Sequence, residues 1–474
     1  MFFRQKKSGS RTYLQIVENR WENGATRQRV VATLGRLDQL QESGQLDGLL
    51  KSGARFTEAV MVVSARDQGK GVDATNRRIG APLVFQRLWE QTGCDQVLQR
   101  LLEGRRFEFS VERALFLTVL HRLVRSGSDR ACVKWKNDYD IPGVAELQLH
   151  HLYRAMGWLG ESLPLSDQKD KTPFGPRCRK DLVEEALFAR RRDLFSSLDL
   201  VFFDTTSIYF EGNGGETLGE RGKSKDHRPD LKQMVVGVVI DSEGRPVCCE
   251  LWSGNTTDVK TLIPIVDRLR SRFHVGRICI VADRGMMSKE TIEELESEAR
   301  RWKYILGARM RAEKEVREEV LSRGGRYRVV QEKGKCPKAP APLKVKEVRV
   351  GSRRYIVCLN EDQAKKDAAD REATVASLRE QLKRGDKALV DDTIRGHVFC
   401  SFLALALRHE LYWRLRQAGH VLEWDDVIQD LEALQITRLT YEAKQFLVRS
   451  TAEGSCGKVF QAVGVALPPT VRRI

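Results

Sequence analysis

The stretch LVFFDTTSIYFEG, Leu200–Gly212, decides the fold. The apolar run Leu200-Val201-Phe202-Phe203 leads straight into Asp204, and Thr205, Thr206 and Ser207 follow. A short apolar run of this kind has the pattern of a buried strand. Delivering a lone carboxylate from such a strand is costly unless the charge is paired or holds a cation. The construction recurs in CIVAD, Cys279–Asp283, where Asp283 ends an apolar run and Arg284-Gly285 makes a tight exit. Two such aspartates on neighbouring strands would repel, and a divalent cation resolves that conflict. Mg²⁺ suits the position because it takes few carboxylates and leaves its other sites to water and phosphate oxygens. A pair of such ions about 3.5–4 Å apart can stabilise both the attacking and the leaving oxygen of an in-line phosphoryl displacement. Aspartates at strand ends also serve as simple caps, so the pattern alone leaves both readings open.

Around this stretch the chain alternates strands and helices. QMVVGVVID and RPVCCELWSG predict two strands joined by a turn at Ser242-Glu243-Gly244. TLIPIVDRLRSRF predicts an amphipathic helix, RICIVADRG a buried strand, SKETIEELESEARRW a helix capped by Ser288, and KYILGARM a further strand. YRVVQEK, KVKEVRV and RRYIVCLN suggest a smaller β-rich insertion. Upstream, TYLQIVENRW and RQRVVATLGRL flank Asn23-Gly24, a hairpin signal, with a polar helix near Leu40–Lys51. Residues 78–197 carry apolar residues at three- and four-residue steps that stop at Gly, the mark of helices. The expected organisation is therefore a small basic β unit over 1–60, a helical domain over 78–197 and an α/β core over 198–310. A β-rich insertion over 311–362 follows, and then a segment over 363–474. That last segment begins with a charged helix, Gln363–Ala388, continues with a helix over Thr393–Gln417, and ends in a tail.

The chain has 474 residues, enough for about three domains. Its 81 Lys and Arg against 65 Asp and Glu leave a net charge of +16, which favours a polyanion and nucleic acid first. Arg4, Lys6, Lys7, Arg11, Arg20, Arg27, Arg29 and Arg36 crowd the N-terminal unit, which is either a DNA-contacting module or a passive packing unit. Arg190, Arg191 and Arg192 are either phosphate contacts or a solvated helix face. His150 and His151 stand together without an acidic or cysteine partner at ligand spacing, and are expected in core or surface rather than on a metal. The 10 cysteines show no zinc spacing and no secretory signal precedes them, so reduced thiols in the cytoplasm are expected. The longest apolar run, VFCSFLALAL, is about half what a membrane crossing needs and reads as a core helix.

Taken together, DTTSIYFEG, GNTTDVKTL and VADRGMMS resemble the catalytic core of bacterial insertion-sequence DDE transposases, and more narrowly the IS-four superfamily. The likeness extends over most of the chain and implies an RNase H-like core, a mixed sheet flanked by helices and interrupted by the β insertion. It implies that Asp204 and Asp283 are the first two metal-binding and catalytic aspartates, with Mg²⁺ or Mn²⁺ as cofactor. It implies cleavage of double-stranded DNA at transposon ends, transfer of the freed 3′-hydroxyl to target DNA, and a homo-oligomer assembled on DNA in the bacterial cytoplasm. Thr205 and Thr206 would be hydroxyls that orient Asp204. Asn255, Thr256 and Asp258 fall at the family's GNTxD stretch, in a structural or a functional role.

One part of the pattern is missing. In this family the third acid lies in a helix with the spacing Tyr-x2-Arg-x3-Glu-x6-Lys, after the β insertion. Tyr412 has Leu415 where Arg belongs, Tyr441 is followed by Glu442 and Lys444 at the wrong spacing, and Tyr355 is followed by strand residues. GDKALV, Gly385–Val390, runs directly into DDTIRGHVFCSFLALALRHEL. Two accounts fit: an internal deletion between about Val390 and Asp392, or a divergent member that uses Glu410, Asp391 or Asp392 instead. The functional expectation is a transposase by descent, impaired by that loss. The alternatives are a non-catalytic DNA-binding remnant or inhibitor, a metal-dependent nuclease on the same core, and a basic α/β protein without DNA function.

Overall fold

The computed structural model describes residues 2–22, 25–46, 48–49, 73–168, 175–191, 200–210, 214–222, 230–257, 261–273, 279–282, 286–297, 302–308, 313–331, 343–359, 390–441 and 444–474. The expected helix over Gln363–Ala388 falls outside them. Contacts divide the chain into two units, residues 1–76 with 436–449 and 469–474, and residues 77–435 with 450–468.

The first unit holds two antiparallel sheets. Strands β1 (Phe2–Ser8), β2 (Arg11–Glu22) and β3 (Ala25–Arg36) form one, with β2 and β3 paired up to Glu22↔Ala25 on either side of the expected Asn23-Gly24 turn. A short helix, α1 (Leu37–Glu42), follows, starting a few residues before the expected polar helix. The guanidinium of Arg4 donates to Gln15 and Gln28 at 2.9 Å each, so this arginine ties the sheet together across strands. The other sheet joins β4 (Asp73–Arg78) to elements from the far end of the chain, in the order β15-β14-β13-β4.

The second unit begins with a helical region: α2 (Gly80–Thr92), α3 (Cys94–Leu102), α4 (Val111–Val124), α5 (Asp129–Trp135), α6 (Leu149–Gly160) and α7 (Arg179–Arg191). Ser110 and Ser128 cap α4 and α5 by accepting from Arg113 and Ala131 amides at 3.2 Å. The core sheet then comprises β5 (Leu200–Tyr209), β6 (Gln233–Asp241) and β7 (Pro246–Ser253), helix α8 (Leu262–Phe273), β8 (Cys279–Ala282), helix α9 (Lys289–Glu296) and β9 (Lys303–Leu306). Its strand order is β7-β6-β5-β8-β9. The first three strands pair antiparallel, whereas β5–β8 and β8–β9 are parallel. This mixed sheet is the RNase H-like arrangement expected. Ser288 caps α9 as predicted, accepting from the Thr291 amide at 3.1 Å.

The insertion follows as a three-stranded sheet of β10 (Arg328–Gln331), β11 (Leu343–Val350) and β12 (Arg353–Leu359), preceded by a π-helical turn at Val316–Val320. It has a small core of its own, in which Val316 and Val320 pack on Val348. The chain closes with α10 (Asp391–Gln417), α11 (Trp424–Ala433), the hairpin β13 (Gln435–Tyr441) and β14 (Lys444–Arg449), α12 (Cys456–Val463) and β15 (Val471–Arg473). Helix α10 is the core helix foreseen in VFCSFLALAL, and Phe399, Cys400, Leu403 and Leu407 on it are buried.

Opposite faces of the core sheet carry different helices. On one, Val201, Phe203, Val235, Val239 and Trp252 pack with Leu262, Ile265 and Leu269 of α8. On the other, Met234, Val236 and Leu251 meet Ile394 and Val398 of α10. Helix α10 also crosses α6 backbone to backbone. A β-carbon on Gly396 would run into the Met156 carbonyl, and one on Gly160 into the Asp392 carbonyl. Gly396→Ala must therefore push these two helices apart, and a loss of about 1–3 kcal/mol is expected in thermal or urea unfolding. Gly419→Ala, whose site is open, is the matched control, with only the smaller cost of its left-handed backbone conformation.

Candidate metal-binding site

Asp204 lies mid-strand in β5, at the centre of the sheet. The two-residue period of a strand explains its setting. Val201, Phe203, Thr205 and Ser207 are buried, while Phe202, Asp204, Thr206 and Ile208 are exposed. Phe202 and Ile208 keep 37% and 40% of their surface, so this side of β5 is open. In register, Asp204 stands opposite Val238 of β6, on the face that carries α10 further along. Its Oδ1 accepts the Thr205 amide at 2.7 Å, and among the described residues no basic side chain pairs with it.

Thr205 is buried, and its backbone amide donates to Asp204. Thr206 shares the exposed face with Asp204. Asp283 lies outside the described residues. Strand β8 runs parallel to β5 as far as Phe203↔Ala282; Asp204 is the next residue of β5, and Asp283 is the next residue after Ala282 in the sequence.

The acids considered as substitutes are engaged elsewhere. Glu410 accepts from Arg414 at 2.8 Å, and Arg414 in turn donates to Gln91 of α2. The side of α10 toward the core sheet is marked instead by His409, whose Nε2 lies 2.9 Å from the Glu243 carbonyl, and by Trp413 under the Arg245 guanidinium. Asp391 accepts from the Glu216 amide at 2.9 Å and from the Thr217 amide and hydroxyl. Asp392 accepts from Arg395 at 2.8 Å.

A second group of acids converges within the core. Glu184, Cys248 and Glu250 bring their ligand atoms within 4.8 Å of one another. A guanidinium already stands where an ion would sit: Arg272 donates to Glu184 at 2.8 Å and to Glu250 at 3.1 Å. Arg268 bridges Glu250 and Asp181 at 2.8 and 2.6 Å, and Lys180 donates to Asp181 at 2.6 Å. Lys180, Arg268 and Arg272 balance Asp181, Glu184 and Glu250, all of them buried. Burial alone would discharge Asp181, but Lys180, Arg272 and Arg268 hold its carboxyl far below the usual range. Burial pushes the Glu250 carboxyl up, against the pull of Arg268 and Lys180. The Cys248 thiol is raised by burial and by Glu184, so it stays protonated and is a poor ligand. The network also covers the outer edge of β7, since the Cys249 amide donates to Glu184 and its carbonyl accepts from Lys180 at 2.7 Å. This is a structural ion network that fastens α7 and α8 to the sheet.

Other sequence candidates fall in plain places. Thr256 donates its amide to the Ser253 carbonyl at 2.9 Å, closing the turn after β7, and Asp258 lies outside the described residues. Arg191 donates to the Pro246 carbonyl at 3.3 Å, whereas Arg190 is exposed. The described cysteines are all free thiols, and most are buried. No described helix is long and apolar enough to cross a membrane.

A mixed sheet of this order, antiparallel on one side of β5 and parallel on the other, is an RNase H-like core. Residues 196–387 match the transposase DDE domain family, and residues 3–69 match the N-terminal domain of IS1634 family transposases. These two matches support an insertion-sequence DDE transposase. No curated protein matches it. Similar solved structures include a piggyBac transposase synaptic complex with hairpin DNA, at 14% identity over 74% of this chain and 76% of that one, with a TM-score of 0.33. A Mos1 transposase paired-end complex is similar at 15% identity over 44% and 66% of the two chains, with a TM-score of 0.16.

Proposed function

We propose that this chain binds the end DNA of an insertion sequence as a homo-oligomer and belongs by descent to the IS-four superfamily. We further propose that its strand cleavage and transfer are impaired by loss of the third acid. The observation that carries the reading is the parallel register of β5 and β8, which stops at Phe203↔Ala282. Asp204 and Asp283 each follow the last paired residue by one peptide step of about 3.8 Å, and neighbouring strands lie about 4.8 Å apart. Asp204 and Asp283 would then face one cation. The donor set fits a hard divalent ion, since Asp204 is open, carries no basic partner among the described residues, and has one oxygen held by the Thr205 amide. Mg²⁺ or Mn²⁺ bound there would polarise phosphate oxygens and lower the pKa of a water nucleophile. Thr206, exposed beside Asp204, is suited to hold a metal-bound water or a phosphate oxygen in line.

The commitment of Glu410, Asp391 and Asp392 to other partners favours the deletion over a substitute acid. DNA binding does not need the metal, because phosphate contacts rest on basic residues. The test is fluorescence anisotropy on duplexes carrying the element's terminal repeats. Binding should weaken about a thousandfold between roughly 50 and 200 mM salt and be unchanged by Asp204→Ala. Failure to bind any duplex at low salt would sink the DNA reading.

A further inference from the structure

The loop between α3 and α4 carries Phe107 and Phe109 on the surface of the helical region. These two rings line a cavity of about 310 Å³ together with Leu102, Val111, Gln99 and Arg105. The rings are held from behind. Phe109 stacks on His151 of α6 with centroids 4.4 Å apart and planes at 22°. Arg154 of the same helix lies over Phe109 at 5.3 Å, and Phe107 meets Phe109 edge-on at 5.7 Å. His151 cannot swing away, because its Nδ1 accepts the Gln148 amide at 3.1 Å. Burial, with His150 and Arg154 alongside, lowers the pKa of His151, so the backing ring is neutral and planar toward its neighbour.

Phe107 and Phe109 are both partly exposed and are not among the residues of the metal-binding site. Flat aromatic walls, an amide at the rim and a volume larger than one nucleobase are what an unstacked base requires, and Arg105 at the rim is held by Glu161 at 2.7 Å. The surroundings are mixed in charge, since Glu103 and Glu112 also line the cavity and Glu108 pairs with Arg154 at 3.5 Å. Glu112 is occupied by the Trp89 indole at 2.7 Å and by Arg113. The rim charges leave room for a base edge rather than for a second phosphate.

We infer that the Phe107–Phe109 cavity is a stacking pocket for an unpaired nucleobase, taken from a single-stranded extension or an extruded position of the bound DNA. The inference rests on the DNA-binding reading above and adds to it a site for single-stranded character. A base stacked there raises affinity for an extended duplex over a blunt one by about tenfold.

The test uses the full chain with a blunt duplex, the same duplex with a short single-stranded extension, and a free single strand. The extension and the free strand carry 2-aminopurine. Expected are quenching of the 2-aminopurine on binding and about a tenfold preference for the extended duplex. Phe109→Ala and Phe107→Leu should both lose the quenching and the preference, and Phe109→Tyr should keep both. Phe107→Leu fills most of the volume of the lost ring, so its loss of quenching is not a folding defect. Unchanged quenching in Phe107→Leu, or none in the unaltered chain while the blunt duplex binds, overturns the pocket and leaves the function standing. Ring-dependent quenching of the free strand without duplex binding upholds the pocket and sinks the function. Absence of both binding and quenching sinks both.

Discussion

Incubated with labelled transposon ends and Mn²⁺, this chain should yield no joined product under conditions in which an intact IS1634 family member joins them readily. A DDE site needs three acids to hold two ions in line with the reacting phosphate. Here Asp204 stands exposed on β5 and Asp283 follows the last described residue of β8. The acids considered for the third role are engaged by other partners among the described residues. Glu410 is held by Arg414, which itself reaches Gln91, and Asp391 is spent on the amides of residues 216 and 217. Misplacing a catalytic group by about 1 Å costs roughly a hundredfold, and losing one outright costs more. Duplex binding by the same preparation shows that the protein is sound, so that a missing product reports chemistry rather than folding. Robust joining abolished by Asp204→Ala and by Asp283→Ala would refute the impaired reading. If Glu410→Gln alone also abolished it, the divergent-member account would replace the deletion.

Arg272→Met should be the most damaging substitution for stability. The guanidinium is fully buried and serves Glu184, Glu185 and Glu250 at 2.8, 2.7 and 3.1 Å, with a further bond to the Asp181 carbonyl. Methionine fills much of the space but leaves the buried acids with one cation too few. Breaking a buried ion pair from one side costs about 3–5 kcal/mol. For a folded unit of this size the melting temperature should drop by roughly 10 °C, measured by calorimetry or circular dichroism. Replacement of an exposed pair, Lys289→Met against Glu293 at 3.6 Å, is the control and should change little. A mild effect at Arg272 would mean that water reaches the network.

The core was legible because its signals are local. Apolar runs broken by Asp204 and Asp283 mark strands, and Ser288 followed by acids marks a helix start. The insertion and the core helix were equally plain in their periodicity. Three features were not legible. The backbone bond from the Thr205 amide to Asp204 is set by the local geometry of the strand, which residue types alone do not disclose. The ion network draws Lys180, Glu250 and Arg272 from well-separated segments, and no spacing rule predicts which charges become buried together. The ring cluster joins a loop at Phe109 to His151 on α6, and only packing reveals that the histidines read as core or surface are the backing of an aromatic wall.

The small sheet that ends in β4 sets a condition on synthesis. Asn76 on β4 and Thr437 on β13 are 361 residues apart, with their side chains 3.4 Å from each other. A ribosome releases β4 long before its partner strand exists, so the edge waits unpaired through most of translation. A messenger cut short, or a frame lost anywhere in between, leaves that edge open and prone to adhere to other chains. The pairing of β4 with β13 is therefore formed only after the C-terminal hairpin has been made.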